Sequence, residues 1–151
     1  SDSFVEALTY VCTELAKELA GDGEGAQRLI EVTVEGAQTI SEARISARDI
    51  VSSLLVKAMV HGRDPNWGRL VMALGKSGIN LDESKLDIFI SDIHIVHEGI
   101  AIPYYRDAVI SAMGNDEIKF RIALNIGDHS ATAWGCDLTE EYVIFNSAYS
   151  T

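Results

Sequence analysis

Apolar residues recur at helical spacing from the start of the chain, where Phe4, Leu8, Val11, Leu15 and Leu19 share one helical face. Ser3 and Glu6 resemble a capping box, in which a hydroxyl and a carboxylate satisfy the backbone N–H groups left free at a helix start. Gly21 is placed to end that helix. Between Leu29 and Gly36 the period changes to two. Leu29, Glu31, Thr33 and Glu35 alternate with Ile30, Val32 and Val34, which predicts a strand. The helical period returns from Glu42 to His61, with Ile50, Val51, Leu54, Leu55, Ala58 and Met59 in one stripe. Ser52 and Ser53 are placed to kink or split it. Asp64-Pro65 predicts an N-cap with proline at the first helical position. That short helix runs through Leu74 and is stopped by Gly75 and Gly78.

The second half is dominated by alternation. Residues 86–91, 93–97 and 119–126 read as strands, with shorter ones at 132–136 and 142–146. Residues 103–113 read as a helix with Pro103 near its start. The strands 86–91 and 93–97 are too close in sequence for a helical crossover, so some pairing is antiparallel. The expected class is α+β, with mixed, partly antiparallel sheet layers packed with helices. No internal repeat or low-complexity linker divides residues 1–151, which read as one compact unit.

Composition narrows the function. Of the 151 residues 47% are apolar, enough for a core. No apolar run is long enough for a transmembrane span, and the start lacks the succession of a signal peptide. A net charge of -11 opposes nucleic acid and anionic membranes, because neutralising phosphates needs clustered Lys and Arg. The same charge does not oppose cationic small molecules. Cys12 and Cys136 lack metal or redox spacing and read as reduced thiols of a cytoplasmic protein. The last residues keep apolar alternation (Tyr142 and Ile144, Val143 and Phe145) up to Asn146 and Thr151. That suggests a tucked terminus whose amide and hydroxyl groups line a polar pocket.

Several clusters carry candidate chemistry. Gly21-Asp22-Gly23-Glu24-Gly25 lies between a helix and a strand, the reverse of a phosphate-cradling loop, and its carboxylates repel phosphate. It is either a solvated turn or a backbone that points Glu24 at a cation. In Asp64-Pro65-Asn66-Trp67-Gly68-Arg69, Trp67 reads as a packing anchor at a helix start. The alternative is an anion held by Arg69 and the helix N-terminus. His94 and His97 sit three apart on a strand, where alternation turns them to opposite faces, and His61 and His129 read as isolated. No set of zinc ligands is expected. Ser1 reads as a fragment boundary rather than an N-terminal nucleophile.

Three segments taken together resemble one family. They are Gly21 to Ala26; Leu55-Val56-Lys57-Ala58 running into Asp64 to Arg69; and Thr132-Ala133-Trp134-Gly135-Cys136-Asp137-Leu138-Thr139 with Tyr142, Val143, Asn146, Tyr149 and Thr151. This combination is similar to the ornithine acetyltransferases (glutamate N-acetyltransferases) of arginine biosynthesis. The resemblance implies a self-cleaving N-terminal-nucleophile architecture, whose precursor divides into an α and a β chain. The new N-terminal Thr of the β chain takes acetyl from N-acetylornithine and passes it to glutamate. Oxyanion-hole groups come from the α chain. The implied assembly is an α2β2 heterotetramer with neither metal nor organic cofactor, acetyl-CoA being at most a substrate.

In that family the nucleophilic Thr is followed by Met-Leu, and no Thr of this chain is followed by Met. The resemblance therefore implies that residues 1–151 are the C-terminal part of a β chain. It places the nucleophile on a segment outside this sequence. The family's substrate-binding positions fall on Glu24, Asn146 and Thr151. A carboxylate at Glu24 suits an ammonium group, and Asn146 and Thr151 offer donors to a carboxylate or amide oxygen. The competing expectation is a non-catalytic amino-acid-binding or regulatory module, or a structural piece that completes another chain's core. Self-cleaving aminopeptidases share the architecture by analogy only.

Overall fold

The computed structural model describes residues 1–21 and 27–138. In chain order the elements are α1 (Asp2–Gly21), β1 (Leu29–Ala37), α2 (Ile40–Ser52), α3 (Leu54–His61) and α4 (Trp67–Lys76). A 3-10 turn at Glu83–Lys85 follows, then β2 (Asp87–Ile90), β3 (Ile93–His97), β4 (Ile100–Ala101), α5 (Arg106–Ala112), β5 (Glu117–Ala123) and β6 (His129–Cys136). The strands form one sheet in the order β4-β3-β2-β5-β1-β6. Among the described residues only β1 and β5 run parallel; the remaining pairs are antiparallel. The α+β expectation therefore holds, and the expected strand at 142–146 lies outside the described residues.

Alternation decides which face of the sheet is buried. Ile30, Val32 and Val34 of β1, Ile88 and Ile90 of β2, and Ile118, Phe120 and Ile122 of β5 are at most 1% exposed. They join Ala43, Ala47 and Ile50 of α2, Met59 and Val60 of α3, Leu70 and Leu74 of α4 and Val109 of α5 in one core. The intervening positions are polar and interact across strands. Thr33 meets Thr132 with hydroxyl oxygens 2.9 Å apart, Arg121 pairs with Glu35 at 2.8 Å, and the Trp134 indole N–H donates to Glu31 at 3.0 Å. Such pairs add increments to each ladder but do not set the fold, which follows from the apolar face.

Ser53 splits the long helical stretch. Its extended backbone ends α2, and its hydroxyl accepts from the Val56 N–H to start α3. Other boundaries differ from expectation for local reasons. The Ser1 hydroxyl caps α1 by accepting from Phe4 N–H at 3.3 Å, because Ser3 already lies inside the helix. Asp64-Pro65 forms the turn between α3 and α4. Trp67 N–H is taken by the Pro65 carbonyl, so α4 begins at Trp67 with Asn66 before it and runs through Gly75. Likewise α5 begins three residues after Pro103. Strand β4 follows from a second tight turn. Ser91-Asp92 and Glu98-Gly99 both have paired positive φ angles, the twist that two-residue hairpins need.

Gly36 interrupts β1 where its register with β6 shifts. Its φ is +70°, and a Cβ there would lie 2.7 Å from the Asn125 backbone nitrogen. Both the left-handed conformation and the close approach require glycine. Gly36→Ala is expected to destabilise the protein by about 1–3 kcal/mol. Denaturant midpoints of the complete protein check it, and an unchanged midpoint refutes it.

Helix α1 stands apart from the core. Lys17 reaches the polar sheet face, 4.0 Å from Glu31 and 3.9 Å from Glu117. The apolar stripe read from the sequence is a single face, and among the described residues it lies uncovered: Phe4 is 68% and Leu19 77% exposed. Among the described residues no helix is long and apolar enough to cross a membrane.

Candidate functional site

The end of the sheet where β1 begins and β6 stops gathers described residues of the second and third motifs. Leu29 pairs with Cys136 there, so the residues just before β1 and just after β6 are neighbours. Asp137 joins them. Its side chain is fully buried, and its Oδ1 accepts from the backbone N–H groups of Gln27 and Arg28, each at 2.9 Å. Asp137 N–H returns a bond to the Arg28 carbonyl at 3.2 Å. Oδ2 accepts no hydrogen bond among the described residues. It faces the Arg28 guanidinium at 3.7 Å, close enough for charge pairing, and His61 Nδ1 at 3.8 Å, both beyond hydrogen-bond reach.

Helix α3 closes the site from the side. Lys57 Nζ donates to the Cys136 carbonyl at 2.8 Å, and Leu138 N–H donates to the Lys57 carbonyl at 3.4 Å. The Arg69 guanidinium donates to the Leu55 carbonyl at 3.1 Å and ties α4 to the same segment. Gly135 allows α2 to lie directly on β6, since a Cβ there would meet Val51 at 2.8 Å. A cavity of about 180 Å³ opens between Leu54, Lys57, Cys136, Asp137 and Leu138. Its lining is largely apolar, with one ammonium whose three donors are not all used by a single carbonyl.

The candidate binding residues Glu24, Asn146 and Thr151 lie outside the described residues. What the structure does place are the described residues that flank the two segments carrying them. Gln27 and Arg28 on one side and Asp137 on the other are held together by the Asp137 carboxylate. The second and third motifs meet through Lys57 and Cys136. Of the Asp64–Arg69 motif, Trp67 is partly buried against the core, as the packing reading expects, and Arg69 is engaged with α3.

Asp137 and Lys57 were present in the motifs without an assigned role. Their partners are far away in sequence, so spacing carried no signal for them. His61, read as isolated, faces Asp137. His94 and His97 do not point to opposite faces. Strand β3 bulges opposite Ile88 and Phe89, burying Ile95 and Val96 in succession, and the bulge returns both imidazoles to one face. They share the Asp87 carboxylate there, so the expectation of opposite faces is corrected. Burial alone would raise the Asp87 carboxyl. Hydrogen bonds from Glu98 N–H, His97, Asn125 and His94 outweigh it and hold the group below the usual carboxylate range. Cys12 and Cys136 are free thiols, Cys12 exposed and Cys136 half-buried.

Comparisons with known proteins agree on one family. A model of the ArgJ family matches residues 1–151. The chain is 45% identical over 149 residues to the arginine biosynthesis bifunctional protein ArgJ of Symbiobacterium thermophilum, covering 99% of this chain and 37% of that protein. It is 45% identical over 155 residues to the glutamate N-acetyltransferase of Methanosarcina mazei, covering 99% of this chain and 39% of that protein. A crystal structure of the arginine biosynthesis bifunctional protein ArgJ from Bacillus halodurans superposes with a TM-score of 0.94 at 40% identity. That match covers 98% of this chain and 70% of the other. The chain thus spans little more than a third of the length of the curated relatives it matches.

Proposed function

The chain belongs to the ArgJ family, and from that premise we propose that it supplies part of the substrate pocket of an N-acetylornithine:glutamate acetyltransferase. The acetyl group passes from N-acetylornithine to a threonine on a segment outside residues 1–151. It passes from there to glutamate, releasing ornithine and then N-acetylglutamate. Each half is an acyl transfer. The Thr hydroxyl gives up its proton as its oxygen bonds the acetyl carbon, and the departing amine takes a proton. The second half runs the same exchange with the glutamate amine as acceptor. If the bifunctionality named for the Symbiobacterium relative extends to this protein, acetyl-CoA is a second acetyl donor.

The observation that carries this reading is convergence. The second and third motifs, and Gln27 and Arg28 that follow the first, meet at one end of the sheet around Asp137 and Lys57. In the proposal Glu24 pairs with the free ammonium of N-acetylornithine, and Asn146 and Thr151 donate to its carboxylate or amide oxygen. Neither metal nor organic cofactor is assigned to the reaction. The proposal includes a precursor that cleaves itself, an α2β2 assembly and a cytoplasmic setting. The uncovered apolar face of α1 supports the assembly, because Phe4, Leu8, Val11, Leu15 and Leu19 are all more than half exposed. The remainder of the precursor is its proposed cover.

Intact mass spectrometry of the native assembly tests the reaction. With N-acetylornithine, a co-purifying chain that begins with Thr is expected to gain one acetyl group, and added glutamate is expected to remove it. An assembly in which no chain becomes acetylated overturns the acyl-transfer reading and leaves a non-catalytic amino-acid-binding module.

A further inference from the structure

We propose that Asp87, His94 and His97 form a binding site for a first-row divalent cation of the zinc class, on the polar face of the sheet. The three ligand atoms lie within 4.8 Å of one another. Asp87 Oδ1 is 2.8 Å from His97 Nδ1 and 3.4 Å from His94 Nε2. Donors around a tetrahedral zinc ion at about 2.1 Å stand about 3.4 Å apart, so small ring rotations enclose a cation. Two imidazole nitrogens and one carboxylate oxygen are borderline donors. They suit zinc and its neighbours rather than magnesium or calcium, which take oxygen ligands. Three protein ligands on a partly exposed face leave a coordination position for water.

The surroundings orient these ligands as a metal site requires. Phe89 stacks on His94 with ring centroids 4.3 Å apart, and the Arg121 guanidinium sits 3.7 Å above Phe89. Arg121 is in turn fixed by Glu35 at 2.8 Å. The second carboxylate oxygen of Asp87 accepts from the Asn125 side-chain amide at 3.0 Å, and Glu98 N–H holds Oδ1 at 3.1 Å. Glu98 Oε1 lies 3.7 Å from His97 Nε2. With Nδ1 turned to a cation the ring proton sits on Nε2. The exposed Glu98 carboxylate is beyond hydrogen-bond reach of it in this structure, but a side-chain rotation brings it into the supporting contact that raises ligand basicity in metal sites. The bulge in β3 builds the whole arrangement, since an unbroken strand separates His94 from His97. This site is separate from the cluster around Asp137 and does not depend on the proposed reaction.

Equilibrium dialysis of the complete, chelator-stripped protein against Zn2+ tests the site, with metal measured per copy of this chain. One saturable Zn2+ per copy is expected. His94→Ala and His97→Ala should each weaken it by about a hundredfold and Glu98→Gln by about tenfold. Replacing Cys12 and Cys136 with Ser should leave binding unchanged. Each histidine variant also loses a hydrogen bond to Asp87, and His94→Ala loses its stacking on Phe89, so their metal-free unfolding midpoints should fall modestly. That of Glu98→Gln, at an exposed side chain, should match the parent. The absence of stoichiometric binding overturns the proposal. So does binding that survives the double variant H94A/H97A, or binding that is lost with the cysteines.

Discussion

Asp137→Ala, introduced into the complete protein, is expected to cost about 3–5 kcal/mol of stability and to lower kcat/KM for N-acetylornithine and glutamate alike. The cost comes from what the carboxylate leaves behind. Removing it orphans the Gln27 and Arg28 backbone N–H groups, which have no other described acceptor. It also leaves the Arg28 guanidinium, whose side chain is 10% exposed, without its nearest counter-charge. Asp137→Asn separates the two effects. Its amide oxygen can still accept from both N–H groups while the charge is lost, so the cost should fall to about 1–2 kcal/mol. The kinetic loss follows because the same carboxylate joins the stretches of chain that lead to Glu24 and to Asn146. Denaturant unfolding with steady-state kinetics checks both parts. An alanine variant within about 1 kcal/mol of the parent would show that the clamp contributes little.

The elements built on periodicity were legible in the sequence. The β1 alternation, the α2–α3 stripe broken at Ser53 and the antiparallel hairpin of β2 and β3 follow from patterns within a few residues. Features that depend on distant partners were not legible. Asp137 meets Gln27 across 110 positions and Lys57 meets Cys136 across 79, and neither separation leaves a local trace. The His94–His97 pair failed in the opposite way. Strict alternation does not describe a strand that bulges, and the one available signal, adjacent apolar Ile95 and Val96 in a five-residue strand, resembles ordinary strand content. Helix starts shifted where a proline served a turn instead of a cap, as at Pro65. The α1 stripe was read correctly as one face, but periodicity says nothing about which chain covers it.

Glu24→Gln is expected to raise KM for N-acetylornithine about tenfold to a hundredfold, the range of one charge-assisted hydrogen bond, with little change in the unfolding midpoint. Glutamine keeps the size of the side chain and one acceptor but loses the charge that would pair with the substrate ammonium. Partial exclusion of water would strengthen that pairing, so its loss should appear mainly in binding of the cationic substrate. The pattern differs from that of the clamp. Asp137→Ala acts through the scaffold and should lower stability and the use of both substrates together. Glu24→Gln should spare stability and discriminate between substrates, since glutamate carries no side-chain ammonium. A neutral analogue of N-acetylornithine that lacks the terminal amine sharpens the test. Parent and variant should then have equal KM, because the charge has nothing to meet. An unchanged KM for N-acetylornithine in Glu24→Gln would remove Glu24 from the pocket and leave the glycine-rich segment as a solvated turn.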